Sequence, residues 1–181
     1  MIRPPRRRSV DPTGEFIADV RESFFLALYQ AMRRRDAAFE RALKPSGLTV
    51  TTWRAMLIIN RLQPCTMNDL ARISTVERTT LTRTIDGLVE QGMVDRSTPA
   101  EDRRQVRLSL TPAGVEAYEA AMEILVVSNA RALEGLDEDR LRDVTRALNE
   151  IVANLIDDPD LTADVLTLSP PGAEPKPFDP A

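Results

Sequence analysis

The chain has 181 residues, 43% of them hydrophobic and 29% charged, and a formal net charge of -4, enough for one compact domain or two small ones and too acidic for a histone-like DNA coat. It holds no histidine and a single cysteine, Cys65, which excludes histidine-based catalytic triads, a tetrahedral zinc site of soft ligands and any internal disulfide framework. No apolar run approaches the roughly 20 residues that cross a bilayer, and no secretory pattern follows the N-terminal arginines, so a cytoplasmic protein without a membrane partner is expected.

Residues 1–14 set Pro4, Pro5 and Pro12 around Arg6, Arg7 and Arg8. With almost nothing apolar to bury, they read as a disordered tail. From Glu15 to Leu43 the residues Phe16, Ile17, Val20, Phe24, Leu28, Met32, Phe39 and Leu43 recur mainly three or four apart, which predicts one long amphipathic helix ended by Lys44-Pro45-Ser46-Gly47. A shorter helix, about Thr51 to Leu62, carries Trp53, Met56, Leu57 and Ile59 up to Pro64. Trp53 reads as core rather than as a ligand contact. Cys65, beside a helix start with no cation near it in sequence, reads as an inert small residue.

Residues 66–110 predict a helix, a tight turn, a second helix and a two-stranded hairpin. Thr66-Met67-Asn68-Asp69 has the capping-box pattern and opens a short helix through Ile73; Ser74-Thr75-Val76-Glu77 repeats the pattern and opens the next. Two short helices joined so tightly must cross steeply, which is the helix-turn-helix arrangement. In the second, about Glu77 to Gln91, Leu81, Ile85, Leu88 and Val89 define the buried face. Thr79, Arg83, Asp86 and Glu90 lie opposite, flanked by Thr80 and Thr82, with Arg78 in the first turn able to swing outward. Hydroxyls and N–H groups near a helix start suit phosphates, and arginine suits a bidentate contact to guanine. Phosphate would repel Asp86 and Glu90 if they faced it. Gly92 is placed as a left-handed cap. Met93 to Arg96 and Gln105 to Leu110 then read as strands. They are joined by a polar loop ending in Glu101-Asp102-Arg103-Arg104. Such a hairpin is a wing, whose tip arginine can enter a narrow minor groove while Asp102 fixes the other guanidinium.

Two further amphipathic helices are predicted. Pro112 to about Leu133 places Val115, Tyr118, Met122, Leu125 and Val126 on one face, and Glu138 to Ile156 does the same with Leu141, Val144, Leu148, Ile151, Val152 and Leu155. These stripes need cover, from one another or from a second copy of the chain; a two-fold dimer is the favoured solution. From Pro159 the chain turns proline-rich and reads as a second disordered tail.

Gly47-Leu48-Thr49 with Trp53, Asn68-Asp69-Leu70-Ala71, Arg78-Thr79-Thr80-Leu81-Thr82-Arg83, Gly92-Met93-Val94, Asp102-Arg103-Arg104 and Leu108-Ser109-Leu110-Thr111-Pro112-Ala113-Gly114 together resemble the multiple antibiotic resistance regulator (MarR) family. The resemblance spans about Glu15 to Asp158. It implies a mainly α fold with a small β-hairpin wing: a winged helix-turn-helix DNA-binding domain over 46–111, with dimerisation helices at 15–45 and 112–158 and tails at 1–14 and 159–181. It implies a homodimeric, non-enzymatic transcriptional regulator, a ligand-responsive repressor on palindromic double-stranded operator DNA. Arg78, Thr79, Thr80, Thr82 and Arg83 would serve the major groove, and Asp102, Arg103 and Arg104 the minor groove. No cofactor is implied beyond a small aromatic or phenolic effector held between the dimer and DNA-binding regions. Gly87 and the long tails depart from the family pattern. The alternative kept beside this is a helical protein–protein adaptor that has the winged shape without binding DNA.

Overall fold

A computed structural model describes residues 20–62, 65–99 and 105–168. Helix α1 (Val20–Leu43) runs into a 3-10 turn at Lys44–Ser46, and Gly47 closes that turn at φ 74°, a left-handed conformation that glycine adopts without strain. Helix α2 (Val50–Arg61) is started twice over. Thr49 and Thr52 form a reciprocal capping box, and the Glu40 carboxylate on α1 accepts a 2.7 Å hydrogen bond from the Val50 N–H. The expected helix start at Glu15 lies outside the described residues.

The next stretch contains the expected hairpin and adds a third strand to it. Cys65–Thr66 forms a short strand, β1, before α3 (Met67–Ile73) and α4 (Arg78–Glu90); β2 (Val94–Ser97) and β3 (Arg107–Leu110) follow. The sheet is antiparallel in the order β1-β3-β2, with Leu108 opposite both Cys65 and Arg96. A two-residue strand is too short to show alternation, so periodicity could not reveal it.

Thr66 and Asp69 cap α3 reciprocally, as their spacing predicts: the Asp69 N–H donates to Thr66 Oγ1 at 3.2 Å and the Thr66 N–H to Asp69 Oδ2 at 2.9 Å. The second predicted box does not form. Glu77 stands at the N-cap of α4 without a side-chain bond, and Ser74 Oγ accepts from the Val76 N–H within the turn instead. Helix α4 ends in a Schellman motif, in which the Met93 N–H reaches the Leu88 carbonyl and the Gly92 N–H reaches that of Val89, both at 2.9 Å. Gly92 sits at φ 69° to permit it.

Helix α5 (Pro112–Ala132) is locked to that corner. Thr111 donates its hydroxyl to the Gly92 carbonyl at 2.6 Å and its N–H to the Met93 carbonyl at 3.1 Å, while Thr111 Oγ1 also accepts from the Gly114 N–H at 3.0 Å. The approach is so close that a β-carbon at Gly114 would stand 1.9 Å from the Met93 carbonyl oxygen. This contact is the physical content of the Leu-Thr-x-x-Gly pattern.

Phe39 and Leu43 of α1, Met56 and Ile59 of α2, Leu70 of α3, Leu81, Ile85 and Leu88 of α4, and Leu108 of β3 form one buried core. Trp53 belongs to it, its ring edge-on to Phe39 with centroids 5.1 Å apart. Helix α5 packs along α1 and adds Val115, Tyr118, Ala121 and Leu125. Val126, expected on that same face, is exposed, because Leu125 takes the inward position of that turn and turns its neighbour outward. Helix α6 (Glu138–Leu155) has no fully buried residue.

The expected tail from Pro159 is also corrected. Pro159–Thr167 is a helix, α7, with proline in its first turn and Asp158 accepting from the Asp160 and Leu161 N–H groups. Leu161, Val165 and Leu168 pack on the core, and α7 lies against α3. The proline density from Pro170 onward dominates the composition of this end of the chain and masks those three apolar residues at helical spacing.

Candidate nucleic-acid interface

Helix α4 separates its faces cleanly. Leu81, Ile85 and Leu88 are buried, whereas Arg78, Thr79, Thr80, Thr82 and Arg83 are exposed together on its N-terminal half. The core therefore fixes which residues face outward. Two of the predicted contact residues are already engaged. The Thr82 hydroxyl donates to the Arg78 carbonyl at 3.0 Å, leaving its oxygen lone pairs as acceptors, and the Arg78 guanidinium donates to Asn68 Oδ1 at 3.3 Å. Arg83 makes no ion pair among the described residues.

Asn68 is a residue that sequence reasoning missed. It ties the first turn of α3 to the first turn of α4, so the two helix starts are presented as one surface. Arg96 is another. From β2 it donates to Asp86 Oδ1 at 2.5 Å, neutralising a carboxylate that would oppose phosphate and bracing the wing against α4. An arginine in a strand and an aspartate in a helix carry no shared sequence period, which is why the pair was invisible. The last pair in the β2–β3 ladder is Ser97 with Arg107; Asp102, Arg103 and Arg104 lie outside the described residues.

Cys65 is fully buried in β1, and burial together with the nearby Asp69 carboxylate pushes its thiol up to about 12 from an ordinary 9.0. It is protonated and shielded at neutral pH, as an inert packing residue would be.

A model of the MarR family matches residues 48–106, the span from Leu48 to the residue before β3. The solved transcriptional regulator PA3341 is 34% identical over 73% of this chain and 97% of its own, with a TM-score of 0.66. The chain belongs to the MarR family. A second MarR-family regulator, from Silicibacter pomeroyi, superposes with a TM-score of 0.68 at 25% identity, covering 78% of this chain and 95% of that one. BpsR of Bordetella bronchiseptica, whose DNA binding is regulated by 6-hydroxynicotinic acid, shares the fold at 21% identity with a TM-score of 0.65 over 72% of this chain and 98% of its own. The β2–β3 hairpin beside α3 and α4 thus matches the wing of the MarR winged-helix fold. No helix among the described residues is long and apolar enough to cross a membrane.

Proposed function

We propose that the chain is a cytoplasmic, homodimeric, ligand-responsive repressor that binds palindromic operator DNA. Helix α4 enters the major groove with Thr79, Thr80, Thr82 and Arg83, assisted by Arg78. The wing delivers Arg103 or Arg104 to the minor groove, with Asp102 orienting the other arginine. The observation that carries this reading is the threonine-and-arginine face of α4, held outward by the buried Leu81, Ile85 and Leu88 and flanked by an Asp86 already neutralised by Arg96.

The dimer is supported by apolar surface that one chain leaves bare. Val20 is 81% exposed, Leu26 62%, Val127 71% and Leu155 73%, on the faces of α1, α5 and α6 turned away from the core. A second copy related by a two-fold axis would cover these faces and place two α4 helices on one side of a duplex. The effector class is supported by likeness to BpsR, whose regulator is a hydroxylated aromatic acid. The indole N–H of Trp53 is buried without a hydrogen-bond partner among the described residues, and this is the chain's single tryptophan, so its fluorescence reports any ligand that reaches α2.

Mobility-shift titration on the DNA flanking the protein's own gene tests the proposal. Arg83→Ala should weaken binding by about 1–3 kcal/mol and relax base preference, as loss of a bidentate base contact does. Equal affinity of wild type for flanking and random DNA would contradict sequence-specific regulation.

A further inference from the structure

Helix α7 stands apart from the expected fold, and it touches the helix-turn-helix. It packs on α3 and also on α6, so it links an end helix to the first helix of the DNA-binding unit. Leu161, Val165 and Leu168 anchor it on the core. Beside them, Asp164 takes the guanidinium of Arg72 in an ion pair between side chains that are 34% and 40% exposed. Residues 157–168 contain Asp157, Asp158, Asp160 and Asp164 and no lysine or arginine.

The position of Arg72 gives that pair its meaning. Asn68 and Arg72 are one turn apart on the same face of α3. Asn68 already meets Arg78, the first residue of the recognition helix, at 3.3 Å. Arg72 therefore lies one helical turn from the surface that faces DNA, and its charge is taken by a carboxylate from α7. We propose that Arg72 is a latent phosphate contact and that α7 is an acidic strap restraining DNA binding by holding it. The strap rests on the DNA-binding reading above. An arginine within reach of a phosphate gains a charge-assisted contact and releases counterions, whereas one paired to an aspartate does neither. Helix α7 thus sets the affinity of the DNA-binding unit below what its arginines would otherwise give, and anything that lifts α7 would raise it.

The test is fluorescence-anisotropy titration of the full chain on a random-sequence duplex of about 30 base pairs at several salt concentrations, with wild type, Asp164→Asn, Asp164→Ser, Asp164→Glu, Arg72→Ala and the Arg72→Ala/Asp164→Asn double variant. Both charge-removing changes at Asp164 should tighten binding roughly three- to tenfold near 100 mM salt and steepen the log–log salt slope by about 1.8 per dimer, one phosphate per protomer. Asp164→Glu should bind as wild type does. Arg72→Ala alone should not tighten binding, and the double variant should lose the gain that Asp164→Asn shows. A gain that survives without Arg72, or no gain in either Asn or Ser variant, overturns the strap. Wild type that binds no duplex at any salt overturns the DNA-binding reading itself, so the two failures are distinct.

Discussion

At the scale of single residues, two glycines on neighbouring helices make opposite demands. Gly87 lies in the middle of α4, and a β-carbon there would meet only the Gln91 side-chain nitrogen at 4.0 Å. Gly87→Ala should therefore stabilise the protein, by up to about 1 kcal/mol from helix propensity and a stiffer unfolded chain. Gly114 offers no such space, and Gly114→Ala must push α5 off the Met93 carbonyl, destabilising by about 1–3 kcal/mol or more. Urea denaturation of the two variants reads both signs. Cys65 adds a pH dependence. Its thiol ionises near 9 when unfolded but near 12 when folded, so the folded state binds the proton more tightly. Its contribution is fully present below about pH 9 and declines as pH rises through 9 toward 12. Denaturation midpoints of wild type should thus fall relative to Cys65→Ala between about pH 8 and pH 10, and native Cys65 should resist thiol reagents at neutral pH.

At the scale of elements, the wing and the recognition helix are one unit. Arg96 on β2 and Asp86 on α4 are partly exposed, so the pair itself adds little stability, on the order of 1 kcal/mol or less. Its use is geometric. Arg96→Ala should leave the melting temperature almost unchanged while weakening DNA binding, because Asp86 is then unpaired beside phosphate and the wing loses its brace. Equal DNA affinity in Arg96→Ala would show that the pair does not position the wing. The elements differ in how plainly the sequence announced them. Long stripes such as Phe39 and Leu43, or Leu81, Ile85 and Leu88, declared their helices and the buried side of each. The cap at Thr66–Asp69, the stop at Gly92 and the outward set Thr79, Thr80, Thr82 and Arg83 were legible for the same reason: local chemistry and one helical period determine them. What was not legible depends on partners distant in sequence. Cys65 joins a sheet only because Leu108 lies beside it, Asp86 is paired by Arg96 from another element, and Leu161, Val165 and Leu168 of the locally capped α7 find cover only where the core receives them.

At the scale of the whole molecule, the distribution of apolar surface organises everything else. The core is complete around α2, α3, α4 and the sheet, whereas Val20, Phe25, Leu26 and Tyr29 on α1, Val126 and Val127 on α5, and Val144 and Leu155 on α6 remain uncovered in one chain. Large apolar side chains left bare on three helices of one chain are what a second copy would cover. Light scattering at micromolar concentration should give a dimer, and Leu26→Asp with Val127→Asp should give monomers that keep their helical content but lose operator affinity. Charge acts at this scale too. Residues 66–110 hold seven arginines and seven acids, so affinity depends on where those charges sit. A dimer neutralising six to ten phosphates should lose roughly 10³ to 10⁵-fold in affinity between 50 and 200 mM salt. The central claim is that two chains, joined through their end helices, set two α4 surfaces on successive turns of one duplex. Hydroxyl-radical footprinting on the DNA flanking the gene tests it most directly. The expected pattern is two-fold symmetric, with protected half-sites centred about 10 base pairs apart; a single unsymmetric patch, or uniform weak protection matching that on random DNA, would contradict it.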